Sequence, residues 1–460
     1  MHRRKLKARH RPSGAREVRA TTPMVVQNPH AAGIDVHSDN HVVCIGTGLV
    51  DTFGAYSVDL RQIAVHLRQH GVTTVAMEST GVYWIPLFEL LETEGFEVYL
   101  VEPGQLRTSG ARPKTDVLDC QWIQRLHSYG LLRGSFRPPE SVRALRAYHR
   151  QRQMLIRYAA GHVQHMQKAL TQMNVKLPEV LSDITGQTGL AIIDAILAGE
   201  RCPEALALLA APQCAKPKEE FALALEGLWQ REHLFELEQA RALFRFYQSQ
   251  IDACDQAIAA ELAHLPNRSG AREAAHKTRK RGRKKNDLRF EATGPLFQAL
   301  GVDLTAIEGI EVGTALVILS EIGVDTSRFP TEGHFASWLG LCPKKSTSNG
   351  TAKRPTPRKG SGRIKQALRM CAESVGRTMT PLGMFYRRIR SRIGGRGACT
   401  ATAHKLARLV YRMLRYGTDY VVQGMEEYAA KMRAQAEKLL RKKAAALGFE
   451  LTPKAAPAPT

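Results

Sequence analysis

Short apolar runs and helical spacing alternate through the first third of the chain. Ala32-Gly33-Ile34-Asp35-Val36 is a compact apolar run containing one acid. His41-Val42-Val43-Cys44-Ile45-Gly46 follows it after the polar turn Ser38-Asp39-Asn40, the pattern of two tightly joined strands. A weaker third strand is predicted near Thr52 to Ser57. Asp59 then stands as a cap for a helix whose Leu60, Ile63, Ala64 and Leu67 share one face and which Gly71 ends. Val72 to Met77 reads as a buried strand running into Glu78. A helix from Trp84 to Glu94, a strand from Glu97 to Val101, a basic loop from Arg107 to Lys114 and a helix from about Thr115 to Tyr129 complete the order βββαβαβα.

The remainder is mostly helical in pattern. Ser141 to Met173 is a long polar helix with Leu145, Tyr148, Met154, Leu155, Tyr158 and Val163 as an intermittent stripe. Phe221 to Leu265 reads as a second, carrying Leu228, Phe235, Leu243, Phe246 and Ile251. Two such helices suit an antiparallel pair, an intermolecular coiled coil, or ordinary packing within one chain. Asn267 to Asp287, with Arg279-Lys280-Arg281-Gly282-Arg283-Lys284-Lys285 at its centre, reads as a basic linker. Gly301 to Tyr428 is a second globular segment, mostly helical, and Thr452 to Thr460 is an Ala/Pro-rich tail.

Composition narrows the partners. The 460 residues carry a net charge of +23, and 43% are hydrophobic, enough to bury real cores. Such a surplus favours nucleic acid over an anionic membrane, because no basic amphipathic helix with a clean apolar face stands out. No apolar run reaches the roughly 18 residues of a spanning helix. The basic N-terminus lacks a secretory signal. The eight cysteines include no C-x-x-C pair, which disfavours zinc ribbons and dithiol redox sites and suits reduced cytosolic thiols.

Four carboxylates stand where the predicted elements can converge. Asp35 lies at the end of the first strand and Glu78 at the end of the strand after the first helix. Asp116 and Asp119 sit three apart on one helix and share a face. Clustered acids repel unless neutralised, and a hard divalent cation with oxygen ligands does this. Two such ions about 4 Å apart can activate an attacking oxygen and stabilise a leaving one. Taken singly, each acid is as well explained as a cap or a solvated side chain.

Gly33-Ile34-Asp35-Val36-His37, Met77-Glu78-Ser79-Thr80-Gly81-Val82-Tyr83-Trp84 and Lys114-Thr115-Asp116-Val117-Leu118-Asp119 together resemble the N-terminal DEDD domain of the IS110 family of transposases. That domain is itself similar to the RuvC resolvase of the RNase H-like superfold. The resemblance covers about residues 30–130, with Cys120 where the family often has Ala. It implies that Asp35, Glu78, Asp116 and Asp119 are a catalytic tetrad holding two Mg²⁺ ions per site, with Mn²⁺ as a substitute.

Farther on, Phe335-Ala336-Ser337-Trp338-Leu339-Gly340-Leu341-Cys342-Pro343 and Lys344-Lys345-Ser346-Thr347-Ser348-Asn349-Gly350 resemble the family's C-terminal transposase domain with its Ser-x-Gly element. The match puts the catalytic serine on Ser348. From the residues alone, Ser346, Thr347 and Ser361 are rivals. Lys344, Lys345, Lys353, Arg354, Arg358, Lys359, Arg363 and Lys365 become the implied nucleic-acid contacts. A serine hydroxyl needs activation to attack phosphorus, and nearby Lys and Arg can hold the phosphates. Ala306 to Ala315 reads either as a helix–hairpin–helix turn, with Glu311 where the family has a second glycine, or as a plain helix turn.

The expected organisation is a basic disordered arm (1–28), an α/β RNase H-like, RuvC-like DEDD domain (29–138) and a long-helix or coiled-coil region (139–266). A basic linker (267–290), a mostly helical C-terminal transposase domain (291–430), and a basic helix with a disordered tail (431–460) follow. The resemblance implies a bacterial cytosolic, nucleoid-associated DNA recombinase acting as a dimer or tetramer. It also implies a noncoding bridge RNA that pairs with donor and target DNA. Two rivals remain at this point: a metal-dependent junction nuclease using water, and a non-enzymatic nucleic-acid-binding protein.

Overall fold

The computed structural model describes residues 24–46, 48–106, 115–270, 284–342, 347–348, 351–352 and 362–451. The chain forms two compact units that divide between Arg137 and Pro138. In the first, strands β1 (Ala31–Val36), β2 (Asn40–Ile45), β3 (Leu49–Gly54), β4 (Thr74–Glu78) and β5 (Glu97–Val101) make one sheet in the order β3-β2-β1-β4-β5. β1 to β3 are antiparallel, and β4 and β5 continue parallel to β1. Helices α1 (Ser57–Gln69), α2 (Trp84–Thr93), α3 (Pro103–Leu106) and α4 (Asp116–Ser128) surround it.

β1 is central, and all six of its residues are buried. The two-residue side-chain period divides them between the faces. Ala32, Ile34 and Val36 share a core with Leu60, Ile63 and Leu67 of α1 and Leu87 and Leu91 of α2. On the other face α4 brings Ile123 against Ala76 and Val101, and Cys120 against Val42 and Cys44. The third strand lies at Leu49–Gly54, earlier than the 52–57 expected, because the β2–β3 register runs from Ile45 beside Leu49 to Asn40 beside Gly54. Ser57 instead opens α1, where the Asp59 carboxylate accepts the Tyr56 N–H at 3.0 Å. Gln27 and Asn28 donate their backbone N–H groups to the Ser128 carbonyl, tying the chain to the end of α4.

The second unit is helical: α5 (Arg143–Gln172), α6 (Leu177–Val180), α7 (Gln187–Leu197), α8 (Pro203–Leu208), α9 (Lys218–Leu225), α10 (Arg231–His264), α11 (Thr293–Leu300), α12 (Val312–Ile322), α13 (Glu332–Trp338), α14 (Gly362–Val375), α15 (Pro381–Tyr416) and α16 (Thr418–Ala446). A short antiparallel pair, β6 (Thr347–Ser348) and β7 (Thr351–Ala352), is its only sheet among the described residues. α15 turns at Gly394, whose φ of 79° suits glycine.

The long helix expected over 221–265 is two helices, α9 and α10. Between them, the Leu228 N–H donates to the Met173 carbonyl at 2.7 Å, and Gly227 sits so close to Val175 and Trp229 that a Cβ would overlap them. α5 and α10 pack on each other within the chain and run antiparallel. Arg152 meets Asp255, Tyr158 lies 5.8 Å from Tyr247, and Lys168 reaches Glu236. The eight cysteines are free thiols, and no helix among the described residues is long and apolar enough to cross a membrane.

One hydrogen-bond chain joins α14, α5 and α12. Arg363 Nη1 donates to Gln153 Oε1 (2.8 Å), and Gln153 Nε2 meets His149 Nε2 (3.2 Å). His149 Nδ1 in turn meets Ser320 Oγ (3.0 Å), whose hydroxyl donates to the Val317 carbonyl. These directions require a neutral imidazole protonated on Nδ1. Burial above all, with Arg152 nearby, pushes the His149 pKa down to about 4. A base with a depressed folded pKa contributes stability that is complete above its unfolded value of about 6.5 and is lost as pH falls toward 4, here on the order of 3 kcal/mol. Melting temperature is therefore expected to drop between pH 7 and pH 4.5, with His149 staying neutral at pH 5 by NMR. A His149 titration midpoint near 6.5 would contradict this packing.

Candidate functional site

The site forms where β1 and β4 end and α4 begins. Parallel pairing sets Ile34 beside Met77, so the next step of the register brings Asp35 and Glu78 side by side. By the same two-residue period, Asp35 shares the α4 face with Gly33, and Glu78 shares it with Ala76. Thr115 caps α4 by accepting the Leu118 N–H at 3.3 Å, which puts Asp116 and Asp119 in the first turn. The positive end of the helix dipole favours carboxylates there.

How near α4 comes depends on Gly33. A Cβ at this position would lie 2.3 Å from Gln124 N and 2.5 Å from Cys120 O, so the helix backbone rests directly on the strand. Gln124 adds a hydrogen bond from Nε2 to the Ala31 carbonyl at 3.4 Å.

His37 stands between two of the acids, with Nε2 3.2 Å from Asp35 Oδ2 and 3.5 Å from Asp116 Oδ1. Asp35, His37 and Asp116 each offer one ligand atom, all within 4.8 Å of one another. Asp35 is only 7% exposed. Burial raises its pKa, His37 opposes that by charge and hydrogen bond, and the charges of Glu78 and Asp119 raise it further. Asp35 and Asp116 thus meet at His37, while Glu78 and Asp119 are near enough to act on Asp35 by charge. Thr80 Oγ1 donates to Glu78 Oε1 at 2.9 Å and fixes that carboxylate. Beneath the site the buried Cys120 thiol is pushed up in pKa by its hydrogen bond with Cys44, by burial and by the nearby negative charge.

A buried carboxylate beside an imidazole and a second carboxylate, with two further acids near enough to act on it by charge, is a donor set that fits a hard divalent cation. The nitrogen donor also suits Mn²⁺. His37 was missed as a site residue by the sequence reading, although its position two after Asp35 on an extended segment carried the signal.

The C-terminal candidates lie in the other unit. Ser348 is in β6, its backbone paired with Thr351 of β7. Lys344, Lys345, Lys353, Arg354, Arg358 and Lys359 lie outside the described residues. Arg363 and Lys365 occupy the first turn of α14. In the turn before α12, Gly309 has φ 84° and Glu311 is the N-cap residue, with its carboxylate 2.5 Å from Lys284 Nζ.

Comparison with known proteins agrees with this layout. Residues 32–175 match the family model of the IS110 DEDD transposase domain, and residues 303–387 match the transposase model of the IS116/IS110/IS902 family. Both models describe transposases. The relative found in Streptomyces coelicolor, described as "Insertion element IS110 uncharacterized 43.6 kDa protein", is 35% identical over 122 residues, covering 25% of this chain and 29% of that protein. Two separate stretches of the chain are thus similar to IS110-family transposases, and the chain spans less than a third of the length of the relative it matches.

The Gly33 contact generates a test. Gly33→Val should force α4 off β1, lower stability by about 1–3 kcal/mol as overpacking does, and weaken Mn²⁺ binding by roughly tenfold or more, measured by calorimetry. Unchanged melting and unchanged Mn²⁺ affinity would show that the helix does not rest on this strand.

Proposed function

We propose that the protein is a DNA recombinase that cuts and rejoins strands of its own insertion element. The observation that carries this reading is the convergence of Asp35, Glu78, Asp116 and Asp119 on one partly buried locus. A strand order of β3-β2-β1-β4-β5, with an antiparallel half and a parallel half, supports an RNase H-like frame for that locus.

In this reading the four carboxylates hold two Mg²⁺ ions, and His37 lends a nitrogen donor. The cations supply Lewis-acid polarisation of phosphate oxygens and charge stabilisation in the transition state. Asp35 and Glu78 provide rigid ligands because they end buried strands, while Asp116 and Asp119 are held by the capped helix. Ser348 is the nucleophile. Its Oγ attacks a DNA phosphorus, the P–O bond to the leaving sugar breaks, and the energy of that bond is kept in a phosphoserine link for rejoining. Lys344, Lys345, Lys353, Arg354, Arg358, Lys359, Arg363 and Lys365 hold phosphates around the exchange. The family resemblance supports a homo-oligomer and a noncoding guide RNA that selects sequence by pairing, leaving backbone and shape to the protein.

A cleavage assay on element-end DNA, with the flanking noncoding RNA and Mg²⁺, tests the scheme. Wild type should cut and form a covalent protein–DNA adduct, and chelation of the metal should abolish both. Asp119→Asn should lose cutting while retaining DNA affinity, and Ser348→Ala should form no adduct. Cutting by Ser348→Ala at the wild-type rate would replace the serine mechanism with a water-using nuclease. Full activity of Asp35→Asn would remove the tetrad from the chemistry.

A further inference from the structure

In the second unit, α5 carries an arginine ridge that the scheme above leaves unused. Arg146, Arg150, Gln153 and Arg157 recur at intervals of four, three and four residues and so share one helix face. From first to last the ridge is about 16 Å long, the axial rise of about five nucleotides. Arg363 of α14 joins it through Gln153.

Three of these arginines converge on one acid. Glu321 of α12 is 4% exposed. Arg150 grips it with two donors, Nε at 2.9 Å and Nη2 at 2.7 Å. Arg146 Nε lies at 3.1 Å and Arg363 Nε at 3.6 Å. One carboxylate thus faces three guanidiniums, a local excess of two positive charges, with the exposed Arg157 adding to it. The contrast on the same helix is Arg152, which is buried and matched one to one by Asp255 at 2.6 Å. Arg146, Arg150 and Arg363 are instead partly exposed at their side chains.

Neutralising Glu321 needs one guanidinium, and each further one adds repulsion. The hydrogen-bond chain through Gln153, His149 and Ser320 contributes nothing to charge balance, yet it holds Arg363 in a set orientation. Rigid guanidiniums with spare donors and surplus charge match an anion having several oxygens and a regular repeat.

We propose that Arg146, Arg150 and Arg157 of α5 and Arg363 of α14 form a preorganised cradle for the phosphodiester backbone of a nucleic-acid strand, with the buried Glu321 as its orienting anchor. The cradle rests on the nucleic-acid reading of the previous subsection. It extends the basic segment of the previous subsection onto α5, sharing Arg363 with it, through three arginines that reading does not use.

Full-length protein, a labelled DNA duplex and a labelled RNA hairpin, each longer than the ridge, provide the test. Affinity is measured between about 50 and 200 mM salt, where each phosphate contact contributes roughly one unit to the log–log slope. Arg157→Gln should reduce the slope by about one, and Arg146→Gln combined with Arg150→Gln by about two. The ligand on which the slope falls, DNA or RNA, identifies the strand held. Lys168→Gln, which removes a charge from the same helix away from the ridge, should leave the slope unchanged.

Wild-type slopes in both ridge variants on both ligands would overturn the cradle while leaving the recombinase reading intact. So would an equal loss in Lys168→Gln. Failure of the wild type to bind either ligand would overturn both. Should the double variant melt early, Arg157→Gln decides, because Arg157 is exposed and makes no ion pair with Glu321.

Discussion

The contact that the first unit depends on is the seat of α4 on β1 at Gly33. With no side chain there, the helix main chain comes within van der Waals range of the strand. One distance then sets several others. α4 begins at Thr115, so its height over β1 places Asp116 and Asp119 beside Asp35, while strand register alone places Glu78. Acids from three separate segments meet because one glycine lets two backbones touch. The opposite face of the sheet, packed with Ile34, Ile63, Leu67 and Leu91, supplies the apolar burial against which that repulsion is held. The raised pKa of Asp35 reflects its burial first, with the charges of Glu78 and Asp119 adding to it and His37 opposing it.

The second unit handles buried charge differently. Its acids anchor guanidiniums: Asp255 holds Arg152, Glu321 holds Arg146 and Arg150 with Arg363 beside them, and Glu332 pairs with Arg408 and Arg412. Removing a buried acid of this kind would strand several charges at once, which gives such groups structural leverage beyond the modest net worth of a pair. A chain of net charge +23 spends part of its basic surplus fixing arginine geometry. That makes its positive surface ordered, not diffuse, along α5.

The sheet was legible because short apolar runs bounded by polar turns have few other readings. The acids were legible because they stood at the ends of such runs. What stayed hidden depended on tertiary contacts. α10 begins at Arg231 only because Gly227 and Leu228 engage Met173 and Val175 on other elements, while apolar spacing alone continues straight through. α3, at four residues, is too short for periodicity to register. His37 was not singled out, because its contact with Asp116 joins residues far apart in the sequence. The arginine ridge was visible as spacing on α5, yet nothing in the sequence says that Glu321 reaches it. The β6–β7 pairing had a local signal in Asn349-Gly350, a dipeptide favoured in two-residue hairpin loops.

Carboxylates in one compact unit and a candidate serine in the other divide the chemistry into separable requirements. Under the proposed function, cation affinity would rest on the β1, β4 and α4 geometry, covalent capture of DNA would rest on Ser348 as well, and phosphate grip by α5 and α14 would rest on Glu321. A hydrolytic nuclease would need only the first of these. The residues matching the DEDD transposase model run from 32 to 175, past the unit boundary and through α5. The part of the chain that resembles a DEDD transposase therefore contains the acid cluster and also the helix that bears the arginines.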